Sequence, residues 1–360
     1  MKHHVNFTPG PSQLYFTVAD HVKRAFKESI PSLSHRSKRF EEIYREATDG
    51  LRALLGLPSG YHIFFTASAT EIWERIFQNL VQDTSFHLVN GSFSKRFYET
   101  GLQLNKKPLI AEAAVGKGFG GDVSIPPETE VIAVTHNETS TGVSLPVKWI
   151  HDLKEKNPDK LIAIDAVSSL PYPAFDYNLV DTVFFSVQKG FGLPAGLGVW
   201  MVSERCLAKA NALRERHIST GSYHSLATLS AHAAKNQTPE TPNVLGIYLL
   251  GCVIGDFLRR GIDTIRKETE YKAAILYQAL ETHTHVSPFV TEKPFRSKTV
   301  IVADCQQHTE KIAAFLAGKG LHAGSGYGPS KKTQLRFANF PAHSKEQIEL
   351  LVDSIQQFKG

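Results

Sequence analysis

Four short apolar runs in the middle of the chain constrain its fold more than any other feature. They read VIAVTH (131–136), LIAIDAV (161–167), DTVFFSV (181–187) and GVWMVS (198–203). Strands that are apolar on both faces are typical of a parallel sheet covered by helices, because neither face meets water. Stretches with helical spacing, such as 39–57 and 69–81, alternate with further strand patterns such as YHIFFT (61–66). The sequence therefore predicts an α/β fold built on a mainly parallel sheet.

The pattern changes after about residue 262, which predicts a second, smaller domain. A long helix over about 263–282 is followed by short strands and by a terminal helix from Ser344. A chain of 360 residues is also long enough for two domains. We expect residues 15–255 to form a large domain, and residues 1–14 and 256–360 to form a small α+β domain.

Composition and charge exclude several classes of function. The chain has 40 Lys and Arg against 35 Asp and Glu, and this charge of +5 is too small and dispersed for a nucleic-acid-binding protein. The longest apolar stretch begins at Val244 and covers about half a membrane span, and the amino terminus lacks the apolar core of a signal peptide. We expect a soluble cytoplasmic protein that handles small anions, with no membrane or nucleic-acid partner.

Cysteine and histidine give no indication of a metal site. Cys206, Cys252 and Cys305 are too far apart for zinc ligands and do not suggest a disulfide framework. The sixteen histidines include no H-x-x-x-H pair on a predicted helix with a nearby carboxylate. We expect reduced thiols and no bound metal.

A turn of small residues, ASAT (67–70), joins the strand pattern at 61–66 to the helix pattern that follows. Free backbone N–H groups and the helix dipole make such a helix N-terminus a site for anions, most often phosphate. The hydroxyls of Ser68 and Thr70 would add two donors. The alternative is an ordinary helix cap, in which one of these hydroxyls binds the first turn.

Two charged residues lie at the ends of neighbouring apolar runs. Asp165 follows LIAI, and a carboxylate there is costly unless a cation or a donor pairs with it. Lys189 follows DTVFFSVQ and precedes the glycine-rich turn GFGLPAG. A partly desolvated lysine can act as an amine nucleophile toward an aldehyde. Alternatively, Asp165 caps the next helix and Lys189 extends from the sheet edge into water.

Taken together, the phosphate turn, Asp165 and Lys189 predict one ligand. It must carry a phosphate, a ring nitrogen that pairs with a carboxylate, and an aldehyde that reacts with a lysine. Pyridoxal 5'-phosphate has these three groups. Asp165 would keep the ring nitrogen protonated, and Lys189 would bind the aldehyde as a Schiff base and then move the proton at the substrate Cα.

Seven motifs occur in a fixed order along almost the whole chain. They are NFTPGP (6–11), SHRSKRF (34–40), NETSTG (137–142), IDAVSS (164–169), SVQKGFGLPAG (186–196), ETPN (240–243) and RFANF (336–340). This set resembles the class V aminotransferases, which are fold-type I pyridoxal-phosphate enzymes. The resemblance implies a seven-stranded sheet, and SHRSKRF points to the phosphoserine branch of the family. That branch transfers an amino group between L-phosphoserine/3-phosphohydroxypyruvate and glutamate/2-oxoglutarate in serine biosynthesis.

The resemblance also implies a role for each matching residue. Lys189 and Asp165 would be the catalytic residues, and Arg336 would bind the substrate α-carboxylate as a bidentate fork. His35 and Arg36 would help to read the phosphate of phosphoserine.

The other matching positions would hold the cofactor. Phe93 would stack on the ring, where the family usually has tryptophan, and Thr139 would meet the phenolic oxygen. Thr241 would come from a second subunit, so the implied form is a homodimer with shared active sites. The positions that would contact the phosphate are Ala69, Thr70, Gln188 and Thr241.

Two departures from the family pattern leave other substrates open. The turn TASATE lacks the glycines and arginine usual in the phosphoserine branch and looks more like alanine–glyoxylate or serine–glyoxylate aminotransferases. The stretch YGPSKKTQLR lacks a His-Arg pair, for which Lys331 or Lys332 could substitute as a point charge. A cysteine desulfurase is disfavoured, because the glycine-rich segment before Arg336 contains no cysteine.

Overall fold

The computed structural model describes residues 4–360, and this range contains fourteen β-strands and eleven α-helices. The strands are β1 (Val5–Phe7), β2 (Tyr61–Thr66), β3 (Thr84–Val89), β4 (Lys107–Glu112), β5 (Val131–Thr135), β6 (Asn137–Glu138), β7 (Val143–Ser144), β8 (Leu161–Asp165), β9 (Thr182–Ser186), β10 (Gly198–Ser203), β11 (Ser287–Pro288), β12 (Val300–Asp304), β13 (Leu321–Ser325) and β14 (Gln334–Ala338). The helices are α1 (Val18–Lys27), α2 (Lys38–Leu55), α3 (Ala69–Leu80), α4 (Ser92–Gln103), α5 (Val147–Lys156), α6 (Glu204–Glu215), α7 (Leu226–Ala233), α8 (Val244–Arg260), α9 (Ile262–Thr282), α10 (Thr309–Gly318) and α11 (Lys345–Gln357).

Seven of the strands form the predicted α/β sheet, in the order β2-β10-β9-β8-β5-β3-β4. All its pairs are parallel except those of β10, which runs antiparallel to β2 and to β9. The reason is the short connection over residues 187–197, because a loop can join antiparallel neighbours whereas a parallel pair needs a longer crossover. The mainly parallel seven-stranded sheet is thus confirmed.

Side chains of the central strands enter two different cores. Val131 and Ala133 of β5 pack in the same core as α3 and α6, whereas Ile132 and Val134 pack with α2 and α8. Every residue of β5, β8 and β9 is buried. Helices therefore cover both faces, as the absence of polar alternation predicts.

A second sheet has the order β1-β13-β14-β12-β11 and packs against α9, α10 and α11 around a separate core. Strand β1 lies beside β13 and is parallel to it, so the amino terminus of the described chain joins elements from the carboxyl-terminal third. The position expected for the domain boundary, residue 255, lies inside α8.

The predicted strands are confirmed, but several end earlier than their apolar runs. Strand β8 ends at Asp165 and not at residue 167, because the Asp165 carboxylate accepts a hydrogen bond from Val167 N and turns the chain. Strand β9 ends at Ser186. Cys305 lies just after β12 and is buried.

Candidate active site

A cavity of about 220 Å³ opens at the carboxyl ends of β5, β8 and β9. This is the edge at which ligands bind in open α/β sheets. Eight of the residues singled out from sequence line the cavity. They are Ala69, Thr70, Phe93, Thr139, Asp165, Gln188, Lys189 and Arg336.

Lys189 lies in the loop that joins β9 to β10 and is buried. Its Nζ donates to Thr139 Oγ1 at 3.1 Å and lies 5.3 Å from the centre of the Phe93 ring. The loop can pass this close to its neighbours because residue 190 is glycine, whose Cβ would otherwise lie 1.9 Å from Leu170 O. Burial lowers the pKa of Lys189 to about 8, although the negative charges of Asp165 and Glu138 oppose this shift.

Asp165 ends β8 on the strand next to the one that leads into Lys189. Its Oδ1 accepts from Val167 N at 3.0 Å, and its Oδ2 accepts from Trp73 Nε1 at 3.1 Å. Burial raises the pKa of Asp165 to about 6, and the two donors and the nearby lysine limit that rise. The carboxylate is therefore buried and is oriented by two neutral donors.

The small-residue turn begins helix α3 at one end of the cavity. Ala69 N donates to Ser186 Oγ at 2.9 Å, which fixes the start of the helix against the end of β9. Ser68 is the N-cap: its Oγ accepts from Glu71 N at 3.2 Å, and it does not line the cavity. The helix end thus faces the cavity with Ala69 and Thr70, and the Ser68 hydroxyl is used for capping.

Phe93 and Thr139 approach Lys189 from two directions. Phe93 is the second residue of α4, and its ring lies 5.1 Å from the ring of Tyr327. Thr139 follows β6, and its hydroxyl donates to Ser168 Oγ at 2.8 Å while it accepts from Lys189.

Arg336 enters the cavity from β14 of the second sheet. Its Nε donates to Ser325 O at 2.7 Å and its Nη1 to Thr139 O at 3.2 Å. The guanidinium also lies over the ring of Tyr327, with 5.5 Å between its carbon and the ring centre. Lys331 and Lys332 are exposed in a short turn before β14 and do not line the cavity.

The remaining three predicted residues lie together, outside this cavity. Thr241 Oγ1 is 3.4 Å from His35 Nδ1. Arg36 Nη1 donates to Thr238 O at 2.7 Å and to Gln237 Oε1 at 2.9 Å. His35 and Arg36, the candidate residues for binding the substrate phosphate, therefore lie near Thr241. None of these three residues lines the cavity that contains Lys189 of the same chain.

Sequence reasoning missed several residues that line the cavity. Trp73 has the helical spacing of an ordinary core residue, and only the structure shows its N–H on Asp165. Tyr327 lies between two glycines, where no pattern indicated a role. The segment Pro9–Pro11 lines the cavity with Gly10 packed against the Lys189 side chain, and the NFTPGP motif was the signal that could have revealed it.

Comparisons with known proteins agree with this geometry. A model of the family "Aminotransferase class-V" matches residues 122–350. The phosphoserine aminotransferase of Rhodococcus opacus (strain B4) is 30% identical over 338 residues, which cover 91% of this chain and 88% of that one. A phosphoserine aminotransferase structure from Cytophaga hutchinsonii ATCC 33406 is 51% identical, covers 100% of both chains and has a TM-score of 0.98. The alanine–glyoxylate aminotransferase of Nostoc sp., at 19% identity, shares the fold over 99% of this chain and 95% of that one, with a TM-score of 0.84.

The chain belongs to the class-V aminotransferase family. It is therefore an aminotransferase, and its cofactor is pyridoxal phosphate. The residues present fit that cofactor. Gln188 Oε1 and Thr135 Oγ1 are buried in residues that line the cavity and have no hydrogen-bond partner in the described chain, so a polar ligand would satisfy them. The buried amine of Lys189, just past the end of β9, and the buried carboxylate of Asp165, at the end of the adjacent strand β8, match the aldehyde and the ring nitrogen.

Other kinds of site find little support in residues 4–360. No group of three or more His, Cys, Asp or Glu there could hold a metal ion, and no helix is long and apolar enough to cross a membrane. Cys206 and Cys305 are buried, and burial raises the pKa of each thiol to about 12. None of the three cysteines lines the cavity, which disfavours the desulfurase alternative.

Proposed function

We propose that this aminotransferase transfers an amino group between L-phosphoserine/3-phosphohydroxypyruvate and glutamate/2-oxoglutarate. The main support for this chemistry is that Lys189, Asp165 and Arg336 line the same cavity. The choice of substrate rests on the relatives, since proteins named phosphoserine aminotransferase match this chain over nearly its whole length.

Lys189 and Asp165 would perform the central steps. Pyridoxal phosphate supplies an aldehyde that reacts with amines and a ring that withdraws electrons from the substrate Cα. Because burial lowers the pKa of Lys189 to about 8, a useful fraction of its amine is uncharged near neutral pH and can act as a nucleophile and a base. Lys189 Nζ would move the proton at the substrate Cα, and Asp165 would hold a proton at the ring nitrogen.

Arg336 would fix the orientation of the substrate. Its bonds to Ser325 O and Thr139 O use Nε and Nη1, and its Nη2 makes no hydrogen bond to the described chain. The free N–H groups can bind an α-carboxylate, and the ring of Tyr327 lies against the guanidinium and stabilises its position.

A second subunit would complete each site. Thr241 contacts His35, and Arg36 donates to Thr238 O, three residues before Thr241. None of the three lines the cavity of this chain's Lys189, which supports a homodimer in which each chain supplies these residues to the site of its partner. In this arrangement Thr241 would contact the cofactor phosphate, and His35 and Arg36 would bind the substrate phosphate.

A complementation experiment tests the shared site. Lys189→Ala and Arg36→Ala should each be inactive or weak with phosphoserine as a pure protein. Mixed after partial unfolding and refolding, they should recover activity, because about half of the dimers would then carry one site with both native residues. A mixture that stays as weak as its components at every ratio would contradict shared sites.

A second candidate function is amino transfer from alanine or serine to glyoxylate. It is favoured by one observation: apart from Lys189, Arg336 is the one cation among the described residues that line the cavity. A substrate phosphate would therefore depend entirely on cations from outside this cavity.

Substrate preference can be measured directly on the loaded protein. Adding L-phosphoserine, L-alanine and L-serine separately should convert the cofactor to its amine form at the lowest concentration with phosphoserine. Arg36→Ala should weaken phosphoserine at least tenfold more than glutamate, since the dianionic phosphate of phosphoserine depends more on this arginine than the singly charged side-chain carboxylate of glutamate does. Arg39→Ala, which removes an exposed arginine on the same segment, is the matched control. Preference for alanine or serine in the wild type, or equal losses in Arg36→Ala, would favour the second candidate.

We also propose the domain division expected from sequence, with its boundary moved to the end of α8. The seven-stranded sheet uses strands from Tyr61 to Ser203, and the five-stranded sheet uses β1 and β11 to β14. Limited proteolysis that cuts near Gly261 before any other site would support this division, since Gly261 separates α8 from α9.

A further inference from the structure

One buried carboxylate lies just behind the cavity wall and has no role in the proposed chemistry. Glu138, the last residue of β6, is fully buried and does not line the cavity. Its hydrogen-bond donors among residues 4–360 are backbone N–H groups and serine hydroxyls, all of them neutral. A buried carboxylate is costly to retain without a cation, and this one needs an explanation.

Its five hydrogen bonds join two segments of the site. Oε1 accepts from Ser140 N at 3.1 Å, from Ser140 Oγ at 2.6 Å and from Phe93 N at 3.3 Å. Oε2 accepts from Ser94 N and from Ser94 Oγ, both at 2.9 Å. Two of the donors are free N–H groups in the first turn of α4, where the helix dipole also favours a negative charge.

The approach of the carboxylate depends on a glycine at the start of that helix. A Cβ on Gly91 would lie 2.4 Å from Glu138 Cγ and 2.7 Å from Ser140 Oγ. Ser140 Oγ also accepts from Ser92 N at 3.0 Å, so the turn that carries Thr139 is tied twice to the helix that carries Phe93.

We propose that Glu138 is a positioning residue that fixes Phe93 and Thr139 on two sides of Lys189 and places a negative charge near the lysine amine. Thr139 is the direct neighbour of Glu138 in sequence and accepts the Lys189 hydrogen bond at 3.1 Å. The backbone N–H of Phe93 donates to the Glu138 carboxylate, and the centre of the Phe93 ring lies 5.3 Å from Lys189 Nζ. This inference rests on the proposed role of Lys189, and the experiment below separates the two.

The charge of Glu138 gives the proposal a second, independent readout. The charged groups that face Lys189 are Asp165 from β8, Arg336 from β14 and Glu138 from the end of β6. The two carboxylates favour the protonated amine and Arg336 opposes it. Loss of the Glu138 charge should therefore let Lys189 lose its proton at a lower pH.

Glu138→Gln tests both effects, because the shape is kept while one acceptor oxygen becomes a donor. We expect affinity for pyridoxal phosphate to fall roughly tenfold to a hundredfold, as at least one N–H of α4 loses its acceptor. In cofactor-free protein, brief reductive methylation with formaldehyde, read by the mass of the Lys189 peptide, should show its pH midpoint at lower pH than in wild type.

Glu130→Gln is the matched control. Glu130 lies just before β5, at the opposite end of the sheet, and accepts from Asp83 N at 2.7 Å and Thr84 N at 3.0 Å. The Glu130→Gln variant should be less stable than wild type, with no change in its affinity for pyridoxal phosphate or in the pH midpoint of Lys189 methylation.

The outcomes are distinct. Wild-type protein whose Lys189 binds no pyridoxal phosphate would remove the proposed function, whatever Glu138 does. Wild-type binding together with an unchanged affinity and midpoint in Glu138→Gln would overturn the positioning role alone. If Glu138→Gln does not fold, Ser140→Ala, which removes the hydrogen bonds of Ser140 Oγ to Glu138 and to Ser92 N but keeps the Glu138 charge, should still lower cofactor affinity severalfold. Unchanged affinity would overturn the proposal.

Discussion

Replacing Asp165 with asparagine should change how the stability of the cofactor-free protein depends on pH. Burial raises the pKa of this carboxyl from its ordinary 3.8 to about 6. The folded protein therefore holds a proton on Asp165 to higher pH than the unfolded chain does. Its contribution to stability is present at low pH and is lost as pH rises from about 4 through about 6.

The size of the effect follows from the shift. At about 1.36 kcal/mol per pKa unit, the full loss is about 3 kcal/mol, of which about 1.4 kcal/mol falls between about pH 5 and pH 8. Asparagine cannot titrate, so the stability of Asp165→Asn relative to wild type should improve by about 1.4 kcal/mol over that range. The nearby Lys189 acts in the same direction, since loss of the Asp165 charge lowers the pKa of its amine further.

Urea denaturation of cofactor-free wild type and Asp165→Asn, at one protein concentration and at both pH values, measures this difference. The comparison cancels any pH-independent cost of placing the asparagine amide against Trp73 and Val167. Asp49→Asn, on the exposed side of α2, is the control and should show no pH-dependent difference. A constant difference for Asp165→Asn would refute the raised pKa of Asp165.

Two further perturbations have defined outcomes. Burial disfavours the charged form of His224, but hydrogen bonds to Glu240 and Glu71 outweigh this and raise its pKa to about 9. The stability that protonated His224 contributes is fully present below about pH 6.5 and is lost as pH rises through about 9. In urea denaturation, the loss of unfolding free energy caused by His224→Gln should therefore be about 2–3 kcal/mol larger at about pH 6 than above pH 9. An equal loss at both pH values would contradict a charged His224. Arg336→Lys should raise KM for both amino acids at least tenfold in steady-state assays, because a lysine cannot donate as a fork, and an unchanged KM would exclude Arg336 from carboxylate binding.

The parts of the site that the sequence predicted are those set by strand ends. Asp165 and Lys189 could be placed together because a continuous apolar run fixes a buried strand, and parallel neighbours present their carboxyl ends at one edge. The direction of β10 could not be predicted, since an apolar run looks the same in either direction.

Contacts between segments that are far apart in the chain could not be predicted from the sequence. Trp73 looks like any core residue of an amphipathic helix, and its bond to Asp165 depends on how α3 packs over β8. The position of Tyr327 is set by folding of the second sheet against the first, which no local pattern encodes. The same is true of Glu138, whose partners lie in a helix that begins 46 residues earlier in the chain.

The central claim is that Lys189 is the lysine that binds pyridoxal phosphate. Loading the protein, reducing it with borohydride and mapping its peptides by mass spectrometry tests this claim directly. The added mass of the reduced cofactor should be found on the peptide that contains Lys189. The most informative rival is Lys272, a second buried amine whose pKa burial lowers to about 7 but which donates to Phe340 O at 3.1 Å and to His343 O at 2.7 Å. Cofactor on Lys272, on another lysine or on none would contradict the assignment, and cofactor on Lys189 alone would establish it.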